Sequence, residues 1–124
     1  MNIIVKVFAI FVAIEFLFIM YLETFATTSD KTAKTFGMDK KELKRSSVNV
    51  LLKNLGIYNG LIGILILLSV FVFESQIAVM VLMGYIIIVA VYGSITSNPN
   101  IIFKQGGLAI ITLVLSVVCS FIRI

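Results

Sequence analysis

Four apolar runs, each long enough to cross a hydrocarbon core, constrain this chain more than any other feature. They occupy approximately residues 3–27, 48–73, 76–97 and 101–123. Ile and Val are abundant in them, but runs this long in lipid must satisfy their own backbone hydrogen bonds, which helices do. A chain of 124 residues that is 60% hydrophobic and only 13% charged, with a mean hydropathy of +1.16, is unlike a small soluble domain. The expected fold is therefore all-α: an integral membrane four-helix bundle, forming a single transmembrane domain over residues 1–124. The first run starts like a secretion signal, with Lys6 ahead of an apolar stretch, but Glu15 in its middle argues against cleavage. Between the third and fourth runs, Ser97-Asn98-Pro99-Asn100 reads as a turn, because Pro99 cannot continue a helix.

Missing residue types exclude much chemistry. The chain has no His and no Trp, and Cys119 is its single Cys, so a Ser-His-Asp triad, a Cys-His pair, a His-rich metal site and an intrachain disulfide are all impossible. No cofactor and no metal are expected. Cys119 lies in an apolar run, where its small side chain is expected to pack.

Basic residues set the expected orientation. Lys31, Lys34, Lys40, Lys41, Lys44, Arg45 and Lys53 crowd the segment around the 28–47 loop, and Lys104 follows the third connection, whereas the other side has only Lys6 and Arg123. The positive-inside rule then places both basic connections in the cytoplasm of a bacterial cell, with both termini outside the plasma membrane. Within the loop, Asp39-Lys40-Lys41-Glu42 has the spacing of a reciprocal helix cap, which predicts a short amphipathic basic helix near the headgroups. Expected partners are the lipid bilayer, anionic lipids at this basic loop, a small lipophilic ligand and a second copy of the chain in a homodimer; nucleic acid is not among them.

Glu15 is the most informative residue. It stands near the middle of the first span, where an acid costs on the order of 2.5 to 3.5 kcal/mol on insertion scales, so it must be protonated, paired or wetted. Its bland role is a protonated carboxyl bonded to a neighbouring helix, and its functional role is to bind a proton or a substrate. Glu23 follows eight residues later, about 12 Å nearer the cytoplasm and about 80° around the helix, so both acids can face one interior. Near the boundary, Glu23 can equally reach water or pair with Lys53 or Lys104.

The other spans bring polar groups to the same inner half. Span two opens with Lys53-Asn54-Leu55-Gly56-Ile57-Tyr58-Asn59-Gly60, span three ends with Tyr92-Gly93-Ser94-Ile95-Thr96, and span four begins with Lys104-Gln105-Gly106-Gly107. Gly56 and Gly60 form a small-xxx-small pair suited to close helix approach, and packing alone explains them. Asn59 needs a partner at its depth. The asymmetry predicts an inward-open polar cavity with Glu15 at its floor. Glu23, Asn54, Tyr58, Asn59, Tyr92, Thr96 and Gln105 are the further candidate residues for binding a substrate or proton.

These elements resemble a family of small bacterial and fungal membrane proteins, domain of unknown function thirteen-oh-four. The likeness covers nearly the whole chain. It rests on the acids of Glu15-Phe16-Leu17-Phe18-Ile19-Met20-Tyr21-Leu22-Glu23, on Asn54-Leu55-Gly56-Ile57-Tyr58-Asn59-Gly60, on Tyr92-Gly93-Ser94-Ile95-Thr96 and on Gln105-Gly106-Gly107. The resemblance implies a four-helix fold and these motif positions, with no established activity. Family members often carry His after the first acid and Pro close to the Gly107 position; here Phe16 follows Glu15, so the acids would act without an imidazole. A second likeness is architectural: small multidrug-resistance transporters also have four spans and a working Glu in span one, although this chain lacks their Trp and has a longer first loop.

Three functions compete. One is a small transporter or carrier of an amphipathic or lipophilic substrate, with Glu15 as its proton-binding group. The second is a membrane protein that binds a lipid or a partner without transport. The third, ranked last, is an intramembrane enzyme acting on a lipid-like substrate, because about 12 Å along one helix keeps the two acids from sharing a substrate atom.

Overall fold

A computed structural model describes residues 1–122 of the protein. The Arg123 end of the expected fourth span lies outside the described residues. The architecture is all-α among them. Helix α1 (Ile3–Met20) continues into a single π-helical turn (Tyr21–Phe25), followed by two short helices, α2 (Asp30–Phe36) and α3 (Lys40–Lys44). Then come the long helices α4 (Ser46–Phe71), α5 (Gln76–Thr96) and α6 (Ile101–Ile122). Four stretches are long and apolar enough to cross a membrane: Ile3–Phe25, Ser46–Phe71, Gln76–Thr96 and Ile102–Ile122. Large apolar side chains such as Ile77, Ile95, Phe103 and Phe121 stand outward on these helices. So much outward-facing hydrocarbon is a liability in water and ordinary in lipid.

The first connection differs from the sequence expectation of one short helix. There are two, and the earlier one was hidden because Asp-Lys-Thr-Ala-Lys-Thr-Phe has no apolar period. Ser29 caps it: its Oγ accepts from the Thr32 amide at 3.1 Å. Gly37 ends it in the left-handed region (φ 63°), which lets the amides of Gly37 and Met38 both reach the Ala33 carbonyl. The later helix begins after Asp39 as the spacing predicts, but the reciprocal cap does not form. Asp39 gives only its backbone carbonyl, to Leu43, and Glu42 pairs forward with Arg45 at 3.1 Å. A charge-assisted bond to a guanidinium outcompetes one to a lone amide. Lys40 pairs with Asp30 at 2.9 Å and holds that exposed carboxyl below the ordinary carboxylate range.

The chain gathers into two compact units, Met1–Ala13 with Leu65–Ile124, and Ile14–Ile64. In the first, α5 and α6 pack side by side, with Val79, Met83, Ile86 and Ala90 of α5 buried. At the Pro99 turn, Ser94 Oγ accepts from the Ile102 amide at 2.7 Å and Asn98 Oδ1 from the Asn100 amide at 3.0 Å. Gly106 lets the helices close up there, since a Cβ on it would stand 3.2 Å from that of Ala90. At the other end, Gln76 Nε2 donates to the Ser116 carbonyl (2.9 Å) and to Ser120 Oγ (2.8 Å). Between these ties, the buried Thr112 and Ser116 return their hydroxyl protons to carbonyls of their own helix, and Cys119 is buried. The short connection before α5 turns at Glu74, whose φ of 46° is left-handed, and Ser75 then caps α5 by accepting from the Ala78 amide.

Candidate functional site

The second unit holds both acids of the first span. Its framework is the close contact of α4 with the end of the first span, from Met20 to Thr24. Gly56 and Gly60 lie one turn apart on α4, opposite Thr24 and Met20. A Cβ on Gly56 would overlap Thr24 Oγ1 and stand 3.0 Å from the Thr24 amide nitrogen; one on Gly60 would overlap Met20 Sδ. The small-xxx-small pair therefore does what its spacing predicts and lets two helices approach closely. At this distance Thr24 Oγ1 donates to the Lys53 carbonyl at 2.9 Å.

Close approach also sets Asn59 against Glu23. The Asn59 Nδ2 donates to Glu23 Oε1 at 2.7 Å, with Glu23 3% and Asn59 8% exposed. Each side chain answers the other's need for a partner. Of the alternatives open to Glu23 from sequence, pairing with the Lys53 ammonium is not what forms; Lys53 contributes its backbone carbonyl to Thr24 instead.

Glu23 lies within the π-helical turn. In it the Ala26 amide bonds to the Tyr21 carbonyl at 2.9 Å, one residue further back than in an α-helix. That shift releases the Leu22 carbonyl, and Thr32 of α2, itself fully buried, takes it up. Thr32 Oγ1 lies 3.0 Å from the Leu22 carbonyl and 2.6 Å from that of Ala26. Thr27 Oγ1 donates to the Glu23 carbonyl at 2.7 Å. Sequence reasoning passed over these hydroxyls; the available signal was the run Thr24, Thr27, Thr28 and Thr32 just where an apolar span ends.

Glu15 stands differently. It is half-buried on α1, and its Oε1 is buried with no hydrogen-bond partner among the described residues. Native interiors rarely leave such an atom unsatisfied, and each case asks for a reason.

The remaining candidates are divided between the two units. Asn54 and Tyr58, in the same unit, are exposed: Asn54 Nδ2 donates to the Val50 carbonyl of its own helix at 3.0 Å, and Tyr58 is 68% exposed. The structure thus brings Glu23 and Asn59 together and leaves Asn54 and Tyr58 off their contact. Tyr92, Thr96 and Gln105 belong to the α5–α6 unit. There Tyr92 is exposed, Thr96 Oγ1 donates back to the Tyr92 carbonyl at 2.9 Å, and Gln105 is half-buried. Among the described residues, no group of three or more Cys, Asp or Glu could hold a metal ion.

Comparison with known proteins finds relatives of the chain. A family model described as "Protein of unknown function (DUF1304)" matches residues 10–117. The chain is 52% identical over 117 residues to the uncharacterized protein YpaA of Lactococcus lactis subsp. lactis (strain IL1403), covering 94% of this chain and 98% of that protein. No solved structure matches. The family model spans most of the chain and the similarity to YpaA runs nearly end to end, so this chain belongs to the DUF1304 family.

Proposed function

We propose that this protein is a small multi-pass carrier of an amphipathic or lipophilic cation, with Glu15 holding either a proton or the cargo. The observation that carries the reading is the buried Glu15 Oε1, which has no hydrogen-bond partner among the described residues, set against Glu23, whose carboxyl is occupied by Asn59. A mid-span carboxyl is expensive, and a permanent partner is the usual way to keep one. Where none is supplied, the group is suited to a partner that comes and goes. A proton neutralises it, and a cation does the same; one carboxyl serves only one of them at a time. Binding of the cation on one side therefore releases the proton there, and reprotonation expels the cation on the other. The apolar surroundings favour a cargo whose charge is spread on a hydrophobic body.

In this reading the four apolar helices form one transmembrane domain in a plasma membrane. The basic segment of α2 and α3 is cytoplasmic, and both termini are outside. Purified protein reconstituted in liposomes tests the proposal. A pH gradient is expected to drive uptake of tetraphenylphosphonium by wild type and by Glu23→Gln, and not by Glu15→Gln. Equal uptake by wild type and Glu15→Gln, or none above protein-free liposomes with any of the three, contradicts it.

A further inference from the structure

We infer that Lys31 and Lys34 of α2, with Phe18 and Tyr21 of the first span, form a binding site for the headgroup and upper acyl chain of one anionic phospholipid. The inference does not depend on whether Glu15 carries a cargo. It rests on an unusual placement of charge: Lys31 Nζ lies 5.0 Å from the centroid of the Phe18 ring, which itself stands outward on an apolar helix. The Phe18 ring stacks on Tyr21, with centroids 6.3 Å apart and planes 22° from parallel. An ammonium over an aromatic face satisfies one side of the charge and leaves its remaining donors free.

This ammonium is held there by the fold. Thr32, its neighbour in sequence, is fully buried with its hydroxyl on the Leu22 and Ala26 carbonyls, so α2 is bound to the end of the first span. Lys34 is one turn on from Lys31, hence on the same side of α2, and both side chains are exposed. The nearby carboxylates are spoken for: Asp30 pairs with Lys40 and Glu42 with Arg45, and among the described residues neither Lys31 nor Lys34 has a carboxylate within ion-pair distance. Lys31 therefore stands at the rim of an outward aromatic and aliphatic strip of Ile14, Phe18 and Tyr21, with Lys34 one turn further along α2. A molecule with a phosphate at one end and hydrocarbon at the other complements both parts. Within a bilayer that molecule is a phospholipid with net negative charge; a zwitterionic one presents its own ammonium to the lysines and gains less.

The chain has no Trp, so Phe18→Trp introduces a single indole, excited apart from the tyrosines, as a reporter at the site. The full-length protein carrying it is reconstituted in bilayers of phosphatidylglycerol and phosphatidylcholine, with bromine on the acyl chains of one or the other. Bromine on phosphatidylglycerol is expected to quench the indole more than bromine on phosphatidylcholine at equal mole fraction. The preference should fall about fivefold for each of Lys31→Gln and Lys34→Gln, and weaken at high salt. Lys31→Arg retains it. Soluble glycerol phosphate, added in excess, leaves it unchanged, because the hydrocarbon contact is missing. Retention of phosphatidylglycerol over phosphatidylcholine by the chain with Phe18 intact, read by native mass spectrometry, gives the same ranking without the reporter. Equal quenching by the two lipids together with equal retention overturns the inference, as does a preference untouched by both Gln substitutions.

Discussion

The amide of Asn59 donates a 2.7 Å hydrogen bond to the carboxyl of Glu23, joining α4 to the π-helical end of the first span across a contact closed to solvent. The pair divides the labour between the two acids of that span. Glu23 is held in place and joins α4 to the first span, while the buried Glu15 Oε1 has no hydrogen-bond partner among the described residues.

Removing the amide strands a buried carboxyl. Asn59→Leu is therefore expected to destabilise the protein by roughly 1 to 3 kcal/mol, the cost of a buried polar group without its partner. Glu23→Gln should cost less, since the Gln carbonyl still accepts from Asn59. Thermal unfolding in one fixed lipid and detergent mixture ranks them. An unchanged midpoint for Asn59→Leu would remove the pair from the account.

Glycines test the close contact itself. Gly56→Ala forces its methyl into Thr24 and its amide, and should cost about 1 to 3 kcal/mol as an overpacked contact does. Gly84→Ala on α5 meets nothing within 4 Å and is expected to cost nothing. The same unfolding measurement separates the two, and equal effects would show that the contact is looser than described.

Thr32 is the latch of the first connection. Thr32→Val keeps the shape and removes the hydroxyl, which leaves the Leu22 and Ala26 carbonyls without it. Amide hydrogen exchange over residues 21–36 should quicken roughly tenfold or more, the equivalent of one lost buried bond, while α5 stays protected. Thr32→Ser is expected to behave as wild type. Uniform exchange rates in Thr32→Val and wild type would contradict the latch.

How much of this was legible beforehand follows from what helical periodicity can carry. The long helices announce themselves by apolar length; Pro99 and the Gly56–Gly60 spacing are likewise plain from sequence. Glu23 and Asn59 each looked costly, but their partnership depends on the relative register of two helices, which no single helix encodes. Asn54 shows the limit from the other side. It is five residues from Asn59, about 140° around the helix, so the two amides of one motif cannot share a face. The π-helical turn and the Thr32 latch were illegible because both arise from backbone groups released in one element and satisfied by another.

The central claim is that Glu15, and not Glu23, is the open carboxyl. Dicyclohexylcarbodiimide reacts with protonated carboxyls in apolar surroundings, and mass spectrometry of the modified protein shows which acid it reached. The account predicts modification at Glu15, slowed by excess tetraphenylphosphonium, with Glu23 spared while Asn59 is present. Modification confined to Glu23, or modification of Glu15 at a rate indifferent to the cation, would contradict it.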